Sequence, residues 1–298
     1  MESMTVKTPD GIAWYVERFS PSDKTTPAKD TTPIVLIPSG EGDCGNLREV
    51  GTLLAASGRH ALSFDMPGFS RTTAPKEAYT PTTPEGVARQ IVGLLDTLQL
   101  DRAAFFGSSS GGGAVLAILA LHPERAKCGI VHEVPLGPFP GFDEIQRKPD
   151  DEVSSICGQF FANVFIEQEE NNGRAKWDAL GSEYRSRLSR NYVTWMRVIV
   201  NGYESATGEL ATVENLKKRP IFWTVGGMSD SKIWQQDFDV AGKAGIQTSV
   251  RLRLARDVQL NATNQPSVCV VQVERVFAVA GAVPDVQTLG YQDVTVAQ

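Results

Sequence analysis

The sequence predicts an α/β architecture: a mostly parallel central sheet with helices on both faces and an inserted helical cap. Three observations predict it. Short, continuous apolar runs at residues 33–37, 61–64, 102–106, 128–131 and 221–225 have the length of strands buried on both faces. Helix-patterned stretches separate several of them, and strands alternating with helices imply parallel strands joined by crossovers. From about residue 136 to 213 that rhythm gives way to helical segments alone. An insertion there reads as a cap over the carboxyl ends of the strands, where ligands of open α/β sheets bind. The expected organisation is a first core part at 1–135, the cap at 136–213, and a second core part at 214–298 with an atypical stretch from about 247.

Each element has a local reason. Residues 11–19 alternate apolar and polar, as an edge strand does, and residues 20–32 form a surface loop rich in Pro, Ser, Thr and Lys. The run at 33–37 leads into the small-residue loop Pro38-Ser39-Gly40-Glu41-Gly42, then into a helical spacing of Leu47, Val50, Leu53 and Leu54. The strand at 61–64 is followed by Asp65-Met66-Pro67-Gly68-Phe69-Ser70. Thr83 is the N-cap of a helix running to Leu98; Pro84 suits its first position, and Val87, Ile91, Leu94, Leu95 and Leu98 are its apolar set. His132-Glu133-Val134-Pro135 follows the strand at 128–131, and Gly226-Gly227 follows the one at 221–225. Inside the insertion, helices are predicted near 152–166 and 175–200.

Composition narrows the function. At 298 residues and 41% hydrophobic content, the chain can bury a large core. Its formal net charge of −6, without a dense Lys/Arg cluster, argues against a nucleic acid or an anionic membrane as partner. The first residues lack a basic-then-apolar leader, and no apolar run approaches bilayer length. A cytoplasmic enzyme with a small-molecule substrate is expected, with a homodimer as one assembly open to it. The four cysteines, Cys44, Cys128, Cys157 and Cys269, have no C-x-x-C spacing; they read as buried thiols, not as a disulfide framework or a metal site.

The most informative segment is Gly107-Ser108-Ser109-Ser110-Gly111, a G-x-S-x-G pattern between an apolar strand and an Ala/Leu/Ile-rich helix. In that pattern the serine sits on a strained strand-to-helix turn, and the flanking glycines clear its approach. A Ser/Gly linker would not be flanked by buried strand and helix patterns. Ser109 is therefore the candidate nucleophile.

The Ser109 elbow, Asp65-Met66-Pro67-Gly68, His132-Glu133-Val134-Pro135, Asn191-Tyr192 with Trp195, and Trp223-Thr224-Val225-Gly226 together resemble the fungal zearalenone lactonases of the α/β-hydrolase fold. The similarity runs from about residue 8 to 246. It implies hydrolysis of a carboxylic ester or macrocyclic lactone through an acyl-enzyme, without metal or organic cofactor. It makes Ser109 the nucleophile, Glu133 the acid that orients the base, and Gly40 and Ser110 the source of the N–H groups that bind the oxyanion. Trp195 corresponds to a cap tryptophan that packs on the ligand; Tyr192 and Trp177 are further candidates for that pocket. From residues alone, Gly40 also reads as a turn glycine and Trp195 as a cap-core residue. Asp230 is the rival acid, placed after the strand at 221–225, although Ser229-Asp230-Ser231 also fits a helix cap or turn. His132 is read as structural, since neighbours on a strand face opposite ways.

The chain departs from that family after the cap. Its three histidines are His60, His122 and His132, and none stands in the late P-G-x-H segment from which the family's base acts. A frame shift offers one account. Leu254-Ala255-Arg256-Asp257-Val258 can be encoded by CTT GCC AGG GAT GTN, which one nucleotide later reads Leu-Pro-Gly-Met, the family's segment just before its histidine; a second break is needed to reach the histidine itself. As given, the chain is expected to be inactive or nearly so. Other readings are an esterase with another substrate and a non-catalytic ligand-binding protein.

Overall fold

The computed structural model describes residues 1–22, 25, 28, 30–80, 82–166, 173–200, 202–226, 232–246 and 248–251. Among these residues eight strands form one sheet: β1 (Glu2–Lys7), β2 (Ala13–Phe19), β3 (Ile34–Ile37), β4 (Ala61–Phe64), β5 (Ala103–Ser108), β6 (Ala126–His132), β7 (Ile221–Gly226) and β8 (Thr248–Arg251). Their spatial order is β1-β2-β4-β3-β5-β6-β7-β8. β1 and β2 pair antiparallel, as do β2 and β4, and every pair beyond them is parallel. This is the mostly parallel sheet the apolar runs call for. The residue 11–19 strand is not the edge, however. β1 covers it, and the polar sequence Glu2-Ser3-Met4-Thr5-Val6-Lys7 gave little apolar signal because its residues are mostly exposed.

The two faces bury different sets. Val35, Ile37, Phe105, Val131 and Trp223 face α2 (Pro84–Thr97) and α3 (Ser110–Leu121), while Ile34, Leu36, Phe106, Cys128 and Ile130 face α1 (Arg48–Ala56). The Thr83 cap forms as expected, its hydroxyl accepting from the Gly86 N–H at 3.0 Å. α3 is buried along almost its whole length, so its apolar content is uniform around the helix instead of one-sided. Cys44, Cys128 and Cys157 are buried thiols, and Cys269 lies outside the described residues.

Between β6 and β7 the chain is helical: α4 (Phe142–Gln146), α5 (Asp150–Ile166), α6 (Gly173–Ala179), α7 (Ser182–Val198), α8 (Gly202–Leu210) and α9 (Val213–Leu216). The single helix expected near 175–200 is divided at Leu180-Gly181, where Gly181 takes φ 79°. α10 (Gln235–Lys243) follows β7. β8 extends the sheet a few residues past the point where the family likeness was expected to stop, and the remaining tail lies outside the described residues. Among the described residues, no helix is long and apolar enough to cross a membrane.

Candidate active site

Ser109 stands at the junction of β5 and α3 with φ 52° and ψ −128°, a backbone conformation that costs an L-residue about 1–3 kcal/mol. Neighbouring groups hold it there. Its N–H donates to the His132 carbonyl at 2.9 Å, and its carbonyl accepts from the Gly112 N–H at 2.8 Å. The glycines are steric requirements: a Cβ on Gly107 would lie 2.2 Å from the Gly111 oxygen, and one on Gly111 would lie 2.5 Å from the Pro38 oxygen. The second contact brings the start of α3 against the loop after β3, which carries Gly40.

Glu133 leaves the neighbouring strand beside this turn, since Ser108 pairs with His132 in the β5–β6 register. It too has a positive φ, 49°. Its N–H donates to the Thr224 carbonyl at 3.1 Å, and its Oε1 accepts from the Gly226 N–H at 2.9 Å. The turn at Glu133 breaks strand alternation, so His132 and Glu133 do not point apart: His132 Nε2 lies 3.8 Å from Glu133 Oε2. This corrects the expectation drawn from regular strand geometry. The His132 Nδ1 is 2.9 Å from Thr224 Oγ1, and burial lowers the imidazole pKa more than the Glu133 charge raises it. Asp230, the rival acid, lies outside the described residues.

Gly40 meets α7. A Cβ there would sit 2.3 Å from Trp195 Nε1, so the indole lies directly on the glycine backbone. Trp195 is 7% exposed, and its N–H has no hydrogen-bond partner among the described residues. Ser110 opens α3; its buried hydroxyl is also without a partner among the described residues, and its carbonyl accepts from the Tyr203 hydroxyl at 2.9 Å. Tyr192 is buried and stacks on Phe161 with ring centroids 4.9 Å apart. Phe161 and Phe142 each contact Trp195 at 5.6 Å in edge-on arrangements. These phenylalanines escaped notice in the sequence because isolated aromatics on an amphipathic helix read as core. Two cavities lie away from Ser109, one lined by Met66, Phe69, Tyr79 and Ile199, the other by Ser154, Trp177, Arg185 and Tyr192. Neither is the pocket expected above the nucleophile.

A charge network joins the β3 and β4 loops to α7. Arg71 donates to both oxygens of Asp65, at 2.6 and 2.8 Å, and to Asp43 at 3.1 Å; Arg48 grips Glu17; Arg187 donates to Asp43 at 2.8 Å. Three fully buried carboxylates thus meet three guanidinium groups. Burial alone would raise the Asp43 pKa, but donation from Arg187 and Ser70, with the Arg71 charge, brings it below the usual value. Asp43, Cys44 and Asp65 come within 4.8 Å of one another, as metal ligands do. They do not fit an ion, because all four carboxylate oxygens already accept hydrogen bonds from guanidinium, backbone or hydroxyl donors and burial raises the Cys44 thiol pKa.

A strand-to-helix turn carrying a strained serine, on a mostly parallel sheet with helices inserted after β6, is the arrangement of a hydrolase. A model of the alpha/beta hydrolase fold matches residues 32–211, and the chain belongs to that family. Within it, the chain resembles two curated proteins named zearalenone hydrolase. It is 33% identical to that of Bionectria ochroleuca over 81% of this chain and 86% of the relative, and 34% identical to that of Cladophialophora bantiana over 81% and 85%. Among solved structures, an esterase from Thermogutta terrifontis superimposes with a TM-score of 0.66 over 94% of this chain and 99% of that one; at 15% identity it speaks to the fold alone.

Proposed function

We propose that this chain is built as a serine-dependent carboxylic-ester hydrolase acting on a macrocyclic lactone of the zearalenone type. The observation that carries the reading is Ser109 at φ 52° between β5 and α3, with Glu133 leaving the adjacent strand beside it. A strained turn is retained where its neighbours enforce it, and here it lifts a hydroxyl above the sheet's carboxyl end. In this mechanism Ser109 attacks the lactone carbonyl, the ring opens into an acyl-enzyme, and a base-activated water releases the product. Glu133 supports the imidazolium of the base. The N–H groups of Gly40 and Ser110 stabilise the oxyanion, and Trp195 with Tyr192 supplies the aromatic wall for a flat resorcylic ring, worth about 0.5–1.5 kcal/mol in stacking.

The histidines favour a second reading for the chain as given. His60 precedes β4, at the end of the sheet opposite Ser109, His122 ends α3, and His132 is engaged with Thr224. Among the described residues no histidine ring nitrogen hydrogen-bonds Ser109, whose link to His132 runs through the backbone. A hydrolase scaffold without its base would bind the lactone and turn it over poorly, since losing a triad histidine costs on the order of 10⁶ in kcat. The test is hydrolysis of zearalenone and of a p-nitrophenyl ester by the full chain, with and without a P-G-x-H segment grafted after the last strand. Background rates that rise by orders of magnitude on grafting, and vanish again in Ser109→Ala, support the hydrolase reading. Strong Ser109-dependent turnover by the ungrafted chain would place the base elsewhere. Saturable binding with no gain on grafting would favour the ligand-binding protein.

A further inference from the structure

Three residues on α7 face the core at a spacing of four: Arg187, Asn191 and Trp195. The first two are hydrogen-bonded to the core loops. Arg187, 8% exposed, donates through Nε to Asp43 Oδ2 at 2.8 Å. Asn191, 3% exposed, closes a two-way contact on Ser70: its Oδ1 accepts from the Ser70 N–H at 3.0 Å and its Nδ2 donates to the Ser70 hydroxyl at 2.7 Å. The same Nδ2 donates to the Glu41 carbonyl at 2.7 Å, one residue beyond Gly40. Ser70 then passes its own proton donor to Asp43 Oδ2 at 2.6 Å, so both anchors converge on one carboxylate oxygen. The backbone of Ser70 is held at φ 45°, which shows how closely the core loop is fitted to this contact.

We propose that Arg187 and Asn191 are positioning residues that lock α7 to the β3 and β4 loops so that the Trp195 indole lies over Gly40. The proposal rests on reading Gly40 and Trp195 as ligand-facing. The anchors bond the core loops at Asp43, Ser70 and Glu41, which fixes α7 two turns and one turn before the point where Trp195 meets Gly40. Buried side chains whose hydrogen bonds are all made specify one arrangement where apolar packing alone would tolerate several. A cap released from this lock would populate the binding-competent arrangement less, and apparent affinity falls by that fraction.

The experiment uses the full chain labelled with 5-fluorotryptophan, whose Trp195 line is identified through Trp195→Phe. Arg187→Met, Asn191→Leu and Ser70→Ala should each move or broaden the Trp195 line while leaving those of Trp14 and Trp223 in place, with Arg187→Lys restoring it in part. Ser70→Ala leaves the cap sequence untouched and covers the case in which a helix variant fails to fold. Titration with zearalenone should shift the Trp195 line saturably, with about tenfold weaker binding in the variants. An unchanged Trp195 line in folded variants would overturn the proposal. An absence of any zearalenone-induced shift in the unmodified chain would instead reject the substrate reading, while the ligand-free comparison still decides the role of the anchors.

Discussion

Asp237 offers a perturbation whose size follows from the structure. It is 1% exposed on α10, and its Oδ2 accepts from both the Val134 N–H and the Trp223 indole N–H, each at 3.0 Å. Val134 follows Glu133 and packs over Gly112, so this carboxyl group holds the Glu133 turn against α3. Burial, reinforced by the Glu133 charge, outweighs the two donated hydrogen bonds and pushes its pKa up to about 7 from the ordinary 3.8. Because the folded value lies above the unfolded one, the folded chain binds the extra proton between about pH 4 and pH 7. Stability is greatest below the unfolded pKa, falls as pH rises through that window, and levels off above about pH 7.

The gap of about 3 units corresponds to about 4 kcal/mol in full, of which about 2 kcal/mol is already lost at pH 5. Asp237→Asn keeps an acceptor for Val134 and Trp223 and removes the titration. Its stability relative to the unmodified chain should therefore improve by roughly 2–3 kcal/mol between pH 5 and pH 8. Urea denaturation of both proteins at the two pH values measures this, and taking the difference cancels the titrating groups that do not interact with Asp237. A difference that stays constant to within about 0.5 kcal/mol would refute the assignment of the pH dependence to Asp237.

Arg71→Met should destabilise the fold by about 3–5 kcal/mol, because it leaves the buried Asp65 carboxylate without a guanidinium and takes one of two from Asp43; denaturant midpoints near the unmodified value would contradict this. Gly40→Ala drives a methyl group into the Trp195 indole, and a loss of about 1–3 kcal/mol together with a displaced Trp195 emission spectrum is expected. Ser109→Gly should abolish labelling by a fluorophosphonate in the P-G-x-H-grafted chain while raising stability by about 1 kcal/mol, because glycine accepts φ 52°; a drop in stability would mean that the turn is unstrained.

Much of the scaffold was legible because it rests on local pattern. The buried strands declare themselves as apolar runs, and Thr83-Pro84 marks the start of α2 to the residue. What escaped depends on partners distant in sequence. β1 is a polar strand that exists because β2 offers it an edge, and the break at Gly181 interrupts a continuous helical pattern. The elbow at Ser109 could be read from its glycines, but the turn at Glu133 could not, since a glutamate at φ 49° is held by β7 through Thr224 and Gly226, some 90 residues onward. Asp237 and Arg187 give no sign in the sequence beyond being charged residues on amphipathic helices. Their burial becomes known only when the Val134 turn and the Asp43 loop are brought to them.

Among the described residues four non-glycine positions have positive φ, and three of them, Ser70, Ser109 and Glu133, lie in the segments leaving β4, β5 and β6 at the same end of the sheet. The concentration has a physical consequence. Each conformation is unfavourable alone and is held by a group from a different element: Asn191 of the cap for Ser70, His132 of β6 for Ser109, Thr224 of β7 for Glu133. The expectation is that the candidate nucleophile, the candidate acid and the Ser70 turn behave as one coupled unit. Loosening one holder relaxes a strained neighbour instead of merely removing a contact, so substitutions at Asn191 and at Thr224 should each alter the environment of residues beyond their own partners. A double-mutant cycle between Asn191→Leu and Thr224→Val reads that coupling. An interaction energy above about 0.5 kcal/mol is expected if the strained turns form one unit, whereas strict additivity would mean that each turn is held independently.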